Sequence, residues 1–163
     1  MLGLRWTNID FERKTITIER TRDSHGDRKP KTNNSYRTFF VDDILLNQLK
    51  IYRTWCKKIM LTYGEIWSES EYVLISERYA TPISVKSVCG PIKRIVKKTG
   101  VKSITPHGLR HTHATILISK GTPLNTIADR LGNTPEMVLR VYGHSFKELE
   151  IESVKAFSEA VNY

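Results

Sequence analysis

Apolar and polar positions alternate in two segments of the N-terminal quarter of the chain, which is the pattern of half-buried β-strands. Residues 13–20 alternate threonine with isoleucine at 15–18, all of them β-branched, and residues 35–41 return to extended spacing. The residues between them, 22–34, are polar, with a turn expected at 25–27 and a basic tip at 28–32. We therefore predict an antiparallel hairpin or small sheet.

Helical spacing follows. Asp42 is placed to cap a helix that continues to about residue 62. Its predicted apolar face consists of Ile44, Leu45, Leu49, Tyr52, Cys56, Ile59 and Met60. An acidic loop at 64–71 then leads into residues 72–76, which predict a short buried strand or extended segment.

A second helix is predicted between Ser84, its cap, and Gly100, its C-terminal stop. One face is apolar and the other basic. The apolar face comprises Val85, Val88, Ile92, Ile95 and Val96, and the basic face Lys93, Arg94, Lys97 and Lys98. We expect Pro91 to kink or split this helix after Gly90, because proline removes a backbone donor.

Three Thr-Pro pairs divide the rest of the chain, and each puts a hydroxyl cap before a proline at the first helical position. They predict helices at about 106–119, 123–131 and 135–142, followed by a last helix at about 147–160. Gly121 and Gly132 are the predicted stops of the first two. The last helix carries an apolar stripe of Phe146, Leu149, Val154 (or Ser153), Phe157 and Val161. The predicted fold class is mainly α with a small antiparallel β-sheet near the N-terminus (α+β).

Composition narrows the class of protein. A chain of 163 residues with 39% hydrophobic and 26% charged residues fits one folded domain rather than a disordered segment. It contains no apolar run of membrane-spanning length and no signal peptide. Cys56 and Cys89 have no CxxC spacing, so we expect reduced thiols in a cytosolic protein.

Charge indicates a polyanionic partner. The formal net charge is +9, but its distribution is uneven. Residues 1–63 carry 13 basic and 7 acidic side chains, whereas residues 142–163 carry 2 and 4. A basic body favours nucleic acid, and an acidic tail favours a protein surface. A basic protein with merely solvated charges is the alternative.

The segment 105–115 contains the strongest candidate chemistry. Pro106 predicts a helix start, so His107 lies in the first turn, where free N–H groups and the helix dipole favour an anion. Arg110, three residues on, shares that face, and the two side chains together could clamp a phosphate. The alternative is that these groups only cap or fill a core. The spacing of His107 and His111 also suits zinc, but Gly108 replaces the glutamate of an HExxH motif.

Tyr142 lies at the predicted end of a helix, beside Gly143 and close to the change from basic to acidic sequence. A tyrosine in an apolar helix is usually part of a core. A phenol can also attack phosphorus when nearby cations stabilise its anion, since its ordinary pKa is about 10. The residues alone leave both interpretations open.

Four motifs occur in order along the chain: Trp6-Thr7-Asn8-Ile9-Asp10, Pro30-Lys31-Thr32 with Tyr36-Arg37-Thr38, His107-x-x-Arg110, and Leu131-Gly132-Asn133 with Tyr142 nine positions later. In this combination the sequence resembles the tyrosine recombinase family of phage-type integrases. The likeness covers essentially the whole chain. It implies the family's catalytic-domain fold and an enzyme that recombines or integrates DNA at specific sites.

The resemblance also implies roles for individual residues. Tyr142 would attack a DNA phosphodiester and form a 3′-phosphotyrosyl link, while Arg110 neutralises charge on the non-bridging oxygens. His107 would assist proton transfer, and Lys31 would protonate the departing 5′-oxygen. Asn133 stands at a further site position. No ATP, metal or other cofactor is implied.

Partners and location follow from the same resemblance. The implied partners are double-stranded DNA that carries the recombination sites and further copies of the protein in a tetrameric synapse. No membrane partner is implied. Family members exchange a C-terminal element between neighbouring protomers, and the tail after Tyr142 could do the same or pack on its own domain. The expected location is cytoplasmic, beside the DNA of a bacterium that carries a prophage or another mobile element.

The sequence departs from the family pattern in three places. The family's first catalytic arginine belongs just upstream of the tryptophan motif, and Arg5 does not match it. We therefore expect residues 1–163 to form a single C-terminal catalytic domain that is truncated at its N-terminus, lacks the N-terminal DNA-binding domains and cleaves DNA poorly on its own. Asn133 replaces the usual His or Trp and cannot shuttle a proton. Gly108 replaces a frequent Asp.

A non-catalytic helix-turn-helix DNA-binding module is the alternative function. Residues 125–138 have the pattern of a helix, a glycine turn and a second helix. Glu136 and Arg140 would then contact bases, and Tyr142 would belong to the core. The proposed recognition helix is apolar-rich, however, and this interpretation leaves His107, Arg110 and Lys31 without roles.

Overall fold

The computed structural model describes residues 2–23, 26–28 and 36–161. The chain divides into two compact units, residues 1–102 and 103–163, and each has its own apolar core. Within the described residues every strand lies in the first 40 residues, and helices form most of the remainder. The predicted α+β class is confirmed.

A three-stranded antiparallel sheet opens the first unit. It comprises β1 (Ile9–Asp10), β2 (Thr15–Ile18) and β5 (Arg37–Phe40), with β2 in the centre. The alternation along β2 buries Ile16 and Ile18 and leaves the threonines between them less covered. The predicted pairing of the two alternating segments is confirmed.

The segment predicted as a polar connection contains two more strands. β3 (Thr21–Asp23) pairs antiparallel with β4 (Gly26–Arg28), so the turn predicted at 25–27 is wrong for the last two of these residues. Ion pairs, rather than an alternating apolar face, join the side chains of these two strands. Arg22 faces Asp27 across the pair, and Arg28 forms an ion pair with Asp23. The rest of the connection, residues 29–35 with Lys31, lies outside the described residues.

Helix α1 (Asp43–Thr62) begins as predicted, with the carboxylate of Asp42 accepting the N–H of Leu45 at 2.7 Å. Its predicted apolar face is partly wrong: Ile44 and Leu45 are 77% and 42% exposed, and Leu46 is buried instead. Each residue advances the helix by about 100°. Leu46 therefore shares a stripe with the buried Cys56 and Met60, whereas Ile44 points about 200° away.

The segment after α1 is extended, as predicted. Val73 and Ile75 are buried, and the Val73 N–H bonds to the carbonyl of Leu4 at 2.9 Å. These residues complete the core of the first unit, which consists of Trp6, Ile9, Ile16, Ile18, Leu46, Cys56, Met60, Val73 and Ile75.

Helix α2 (Val85–Thr99) has the predicted ends. The Ser84 side chain accepts the Ser87 N–H, and Gly100 adopts a left-handed conformation with φ 69°. Of the kink or split predicted at Pro91, the split is wrong, since the helix runs through this residue. Gly90 explains the tolerance, because a residue without Cβ removes part of the clash between a proline ring and the residue before it.

The second unit contains α3 (Pro106–Ser119), α4 (Leu124–Leu131) and α5 (Pro135–Val161). Thr105 and Thr134 cap α3 and α5 as predicted. The predicted Thr122 cap is wrong, because the N-cap of α4 is Pro123, without a side-chain bond. The Thr122 N–H instead bonds to the Leu117 carbonyl at 3.1 Å, in the turn that ends α3.

Helix α5 corrects two predictions at once. It does not end at Tyr142, and no separate helix begins near residue 147. Val138, Tyr142 and Phe146 follow one another at intervals of four, so the apolar stripe keeps helical spacing across Gly143 and the helix continues.

The core of the second unit joins all three helices. It consists of Ala114, Ile118, Ile127, Ala128, Leu131, Val138 and Tyr142, with Phe146 packed against it. Further along α5, the predicted apolar stripe is only partly buried. Val154 and Phe157 are 65% and 68% exposed, and Val161 is exposed as well.

Candidate active site

The N-terminus of α3 is built to receive an anion. The Thr105 hydroxyl accepts the N–H of Gly108 at 3.0 Å, which fixes the first turn. His107, in that turn, is exposed. A Cβ at position 108 would lie 3.3 Å from a side-chain carbon of Ile104 and 3.4 Å from the Thr105 hydroxyl. The absence of a side chain at Gly108 therefore leaves room for the cap.

Arg110 extends from α3 to the turn between α4 and α5. Its Nη2 donates to the carbonyl of Leu131 at 2.6 Å, and the side chain is half-buried. Asn133 meets the same nitrogen: with its Oδ1 turned toward Arg110 the separation is 3.2 Å, and its amide nitrogen then donates to the Gly132 carbonyl. The Leu-Gly-Asn motif thus holds the guanidinium in place.

Tyr142 lies on α5 within this group of residues. Its side chain is 4% exposed and belongs to the core of the second unit. Burial raises the pKa of the Tyr142 phenol, and the charge of Arg110 acts in the opposite direction. A buried phenol whose pKa responds to a guanidinium is a core tyrosine and a candidate nucleophile at the same time.

Two histidines connect Tyr142 to the start of α3. The rings of His111 and Tyr142 have centroids 5.3 Å apart and are tilted by 59°. The rings of His107 and His111 meet edge to face, with centroids 4.4 Å apart. The structure thus brings His107, Arg110, Asn133 and Tyr142 into one region of the second unit.

His113 lies on α3, two positions beyond His111 in the chain. The Nε of Arg130, on α4, donates to the Nε2 of His113 at 3.1 Å. Burial lowers the pKa of His113, and the charges of Arg130 and Arg110 lower it further. The neutral imidazole is the form that can accept this bond, so the contact joins α3 to α4 while His113 is uncharged.

Lys31 is not placed, since it lies outside the described residues. The strands before it are anchored by Asp27, which accepts the hydroxyl of Tyr72 at 2.7 Å and Nη2 of Arg5 at 3.2 Å. Burial alone would raise the pKa of Asp27, but these bonds and the charge of Arg22 hold it below its usual value. Arg5 also donates to the Ser70 carbonyl, so its guanidinium is committed to the fold.

The sequence alone indicated no role for His111 beyond zinc binding with His107, although the four-residue spacing that suits zinc also places both rings on one helix face. Within the described part of the chain, no group of three or more His, Cys, Asp or Glu side chains is arranged to hold a metal. Nor does that part contain a helix both long and apolar enough to cross a membrane.

Comparison with known proteins gives consistent results. A model described as the phage integrase family matches residues 1–148. A tyrosine recombinase XerC-like protein of Caldanaerobacter subterraneus is 31% identical over 176 residues, covering 98% of this chain and 45% of the relative. The ICEBs1 integrase of Bacillus subtilis is 27% identical over 158 residues, covering 93% of this chain and 42% of the relative. The chain therefore spans about half the length of the curated relatives it matches.

Solved structures show the same fold. The Tn1549 transposon integrase in complex with transposon right end DNA superposes with a TM-score of 0.74 at 21% identity, covering 94% of this chain and 53% of that one. XerA recombinase gives 0.67 at 21% identity, covering 93% and 51%. The match of the family model over most of the sequence decides the assignment: the chain belongs to the phage integrase family of tyrosine recombinases.

Proposed function

We propose that this chain is the catalytic part of a site-specific DNA recombinase that cuts and rejoins DNA through a covalent bond to Tyr142. The observation that carries the proposal is the convergence of Tyr142 with His107 and Arg110, which lie on α5 and α3 of the second unit. Membership of the phage integrase family supports it.

The chemistry assigned to these groups is a phosphoryl transfer. The Tyr142 oxygen attacks phosphorus, and the bond from phosphorus to the 5′-oxygen breaks. The proton of the phenol passes to the imidazole of His107. Arg110 holds the non-bridging oxygens, where charge increases in the transition state. Lys31 supplies a proton to the 5′-oxygen. Rejoining reverses each step. Because the phosphotyrosyl link conserves the energy of the broken phosphodiester bond, no cofactor takes part.

The burial of Tyr142 places a condition on this mechanism. At 4% exposure the Tyr142 side chain is largely covered, so DNA binding must uncover the phenol before it can meet a phosphate. We assign Asn133 the task of holding Arg110, since its amide engages that guanidinium.

We further propose that Arg5 does not serve as the family's other catalytic arginine. Its two terminal nitrogens donate to Asp27, Tyr72 and the Ser70 carbonyl, and its guanidinium lies 4.6 Å from the centre of the Tyr72 ring. With Arg5 excluded from this role, residues 1–163 alone should cleave DNA slowly.

The proposed substrate is double-stranded DNA, and the proposed assembly on it is a tetrameric synapse in the cytoplasm of a cell that carries the mobile element. The exposed apolar side chains of the tail support exchange with a neighbouring protomer over packing on the same domain. These are Val154, Phe157 and Val161, on one end of α5. An exposed apolar face on a helix is stabilised by a partner that covers it.

Covalent adduct formation tests the proposal. The chain is incubated with a nicked duplex that traps the cleaved state, for long enough to detect a slow reaction, and the products are separated on a denaturing gel. We expect a protein–DNA adduct that disappears in Tyr142→Phe. An adduct that persists in this variant would exclude Tyr142 as the nucleophile.

The helix-turn-helix alternative makes a different prediction in the same assay. Glu136 and Arg140 are exposed on the first turns of α5, where a recognition helix would carry its base contacts. If the chain only binds DNA, Glu136→Ala and Arg140→Ala change the preferred sequence and no adduct forms. If it is a recombinase, both variants still form the adduct.

A further inference from the structure

His111 has no role in the mechanism above, although it lies at the centre of the site. It is half-buried on α3, one helical turn after His107. Its ring contacts both other rings of the site, with centroids 4.4 Å from that of His107 and 5.3 Å from that of Tyr142. His111 is therefore the side chain through which the start of α3 meets the phenol.

The surroundings of Tyr142 explain why this contact matters. The other members of its buried cluster are aliphatic: Ala114, Ile118, Ile127, Ala128, Leu131 and Val138. Aliphatic neighbours exclude water but place few limits on how a ring is turned. Within the described residues the Tyr142 hydroxyl has no hydrogen bond, so the tilted imidazole provides its directional contact.

We propose that His111 is the positioning residue for the nucleophile. Its imidazole holds the phenol in one orientation beside Arg110 and His107, which reduces the number of conformations from which Tyr142 must find the phosphorus atom. The inference rests on the proposed function, since it assumes that Tyr142 is the attacking group. Orientation of a nucleophile affects the rate of the bond-forming step, whereas the affinity for DNA depends on other contacts.

The first experiment measures single-turnover adduct formation on the nicked duplex together with the dissociation constant for the same DNA. We expect His111→Ala to slow adduct formation by about 10- to 100-fold. The affinity should change by less than about 2-fold, because phosphate contacts determine it. His111→Phe, which keeps a ring against Tyr142, should recover most of the rate. A normal rate in His111→Ala, or a failure of His111→Phe to recover it, would overturn the proposal.

A matched variant separates positioning from folding. Ile118 is 1% exposed in the same cluster, so Ile118→Ala removes core packing without touching the His111 ring contact. The variants are compared at a temperature at which thermal melts show all of them folded. We expect Ile118→Ala to cleave at close to the normal rate. If it is as slow as His111→Ala, His111 has only a structural role and the inference is wrong.

A second measurement does not depend on activity. In the 163-residue chain with ¹³C-labelled tyrosine and histidine, nuclear Overhauser cross-peaks should join the ring protons of Tyr142 to those of His111, because the two rings are in contact. In His111→Phe the Tyr142 ring protons should show cross-peaks to the new ring instead. Absence of the cross-peaks in the unmodified chain contradicts the contact, and their absence in His111→Phe shows that this variant does not preserve it. Tyr142→Phe in the adduct assay tests the proposed function separately, so the two failures are distinguishable.

Discussion

The guanidinium of Arg110 is held in place by hydrogen bonds that do not neutralise its positive charge. Arginine has five N–H donors, and the structure assigns one nitrogen, Nη2, to the Leu131 carbonyl and to the Asn133 amide oxygen. Both acceptors are neutral, so the positive charge is not cancelled by a carboxylate. Arg5 shows the opposite arrangement, since it forms an ion pair with Asp27. The difference makes Arg110 the guanidinium suited to a phosphate.

His113 gives a testable consequence at the scale of a single residue. Because burial and the charges of Arg130 and Arg110 hold its pKa below the usual 6.5, the unfolded chain takes up a proton before the folded one does. The free energy of unfolding should therefore fall as the pH drops below about 6.5, with the loss continuing through the lower pKa of the folded state. Urea denaturation at pH 7 and pH 5 measures this slope.

Substitution of His113 tests whether this residue causes the pH dependence of the free energy of unfolding. His113→Gln offers Arg130 a neutral acceptor that does not titrate, so we expect it to reduce the difference between the two pH values. His144→Gln, at an exposed position on α5, is the control and should leave the difference unchanged. An equal slope in His113→Gln would show that the His113 contact does not contribute to it.

At the scale of elements, α5 depends on a residue that disfavours helices. Gly143 directly follows Tyr142 in the interior of this helix, and no atom lies within 4 Å of the position that a Cβ would take there. The glycine is therefore not required by packing or by a left-handed backbone. It weakens the helix directly after Tyr142.

Gly143→Ala should make the helix more stable. We expect the free energy of unfolding to rise by about 0.5–1 kcal/mol, the usual difference between alanine and glycine in a helix interior. Gly132→Ala is the matched control, because φ at this position is +67° and alanine is strained there. It should lower stability. Urea denaturation of both variants checks the signs, and a loss in Gly143→Ala would contradict a continuous α5.

Helix starts were predictable because they depend on local chemistry. The caps at Asp42, Ser84 and Thr105 each use a side-chain oxygen and an N–H three residues later, and all three are confirmed. Thr122 was predicted on the same grounds and is wrong, because its N–H is taken by the end of the preceding helix. A local signal fails where a neighbouring element uses the same residue.

Contacts between elements were less predictable. The strands β3 and β4 pair through charged side chains, so their sequence has no apolar alternation to reveal them. The group of His107, Arg110 and Tyr142 was predicted from the family's motifs, because the residues alone left open whether Tyr142 is a core residue or a nucleophile. The contact of His111 with Tyr142 depends on how α3 packs against α5, and the sequence pattern does not contain that information.

At the scale of the whole molecule, charge links the fold to its proposed substrate. The chain carries 26 basic and 17 acidic residues, and α2 concentrates four of the basic ones on one exposed region. These are Lys93, Arg94, Lys97 and Lys98. Among the described residues, none of these four side chains forms an ion pair with a carboxylate. A basic helix face of this kind is suited to the DNA backbone, whose phosphates release counterions when lysines replace them.

Removing two of these charges should therefore change how salt affects DNA binding. We expect Lys93→Gln with Lys97→Gln to weaken binding to duplexes of any sequence and to reduce the slope of log affinity against log salt by about 2, one for each lost phosphate contact. The double variant Lys50→Gln with Lys58→Gln removes the same net charge from α1 and should change the slope less. Fluorescence anisotropy from 50 to 200 mM salt measures both. Equal changes in the two double variants would mean that binding follows total charge, and that the basic face of α2 is not a specific point of contact.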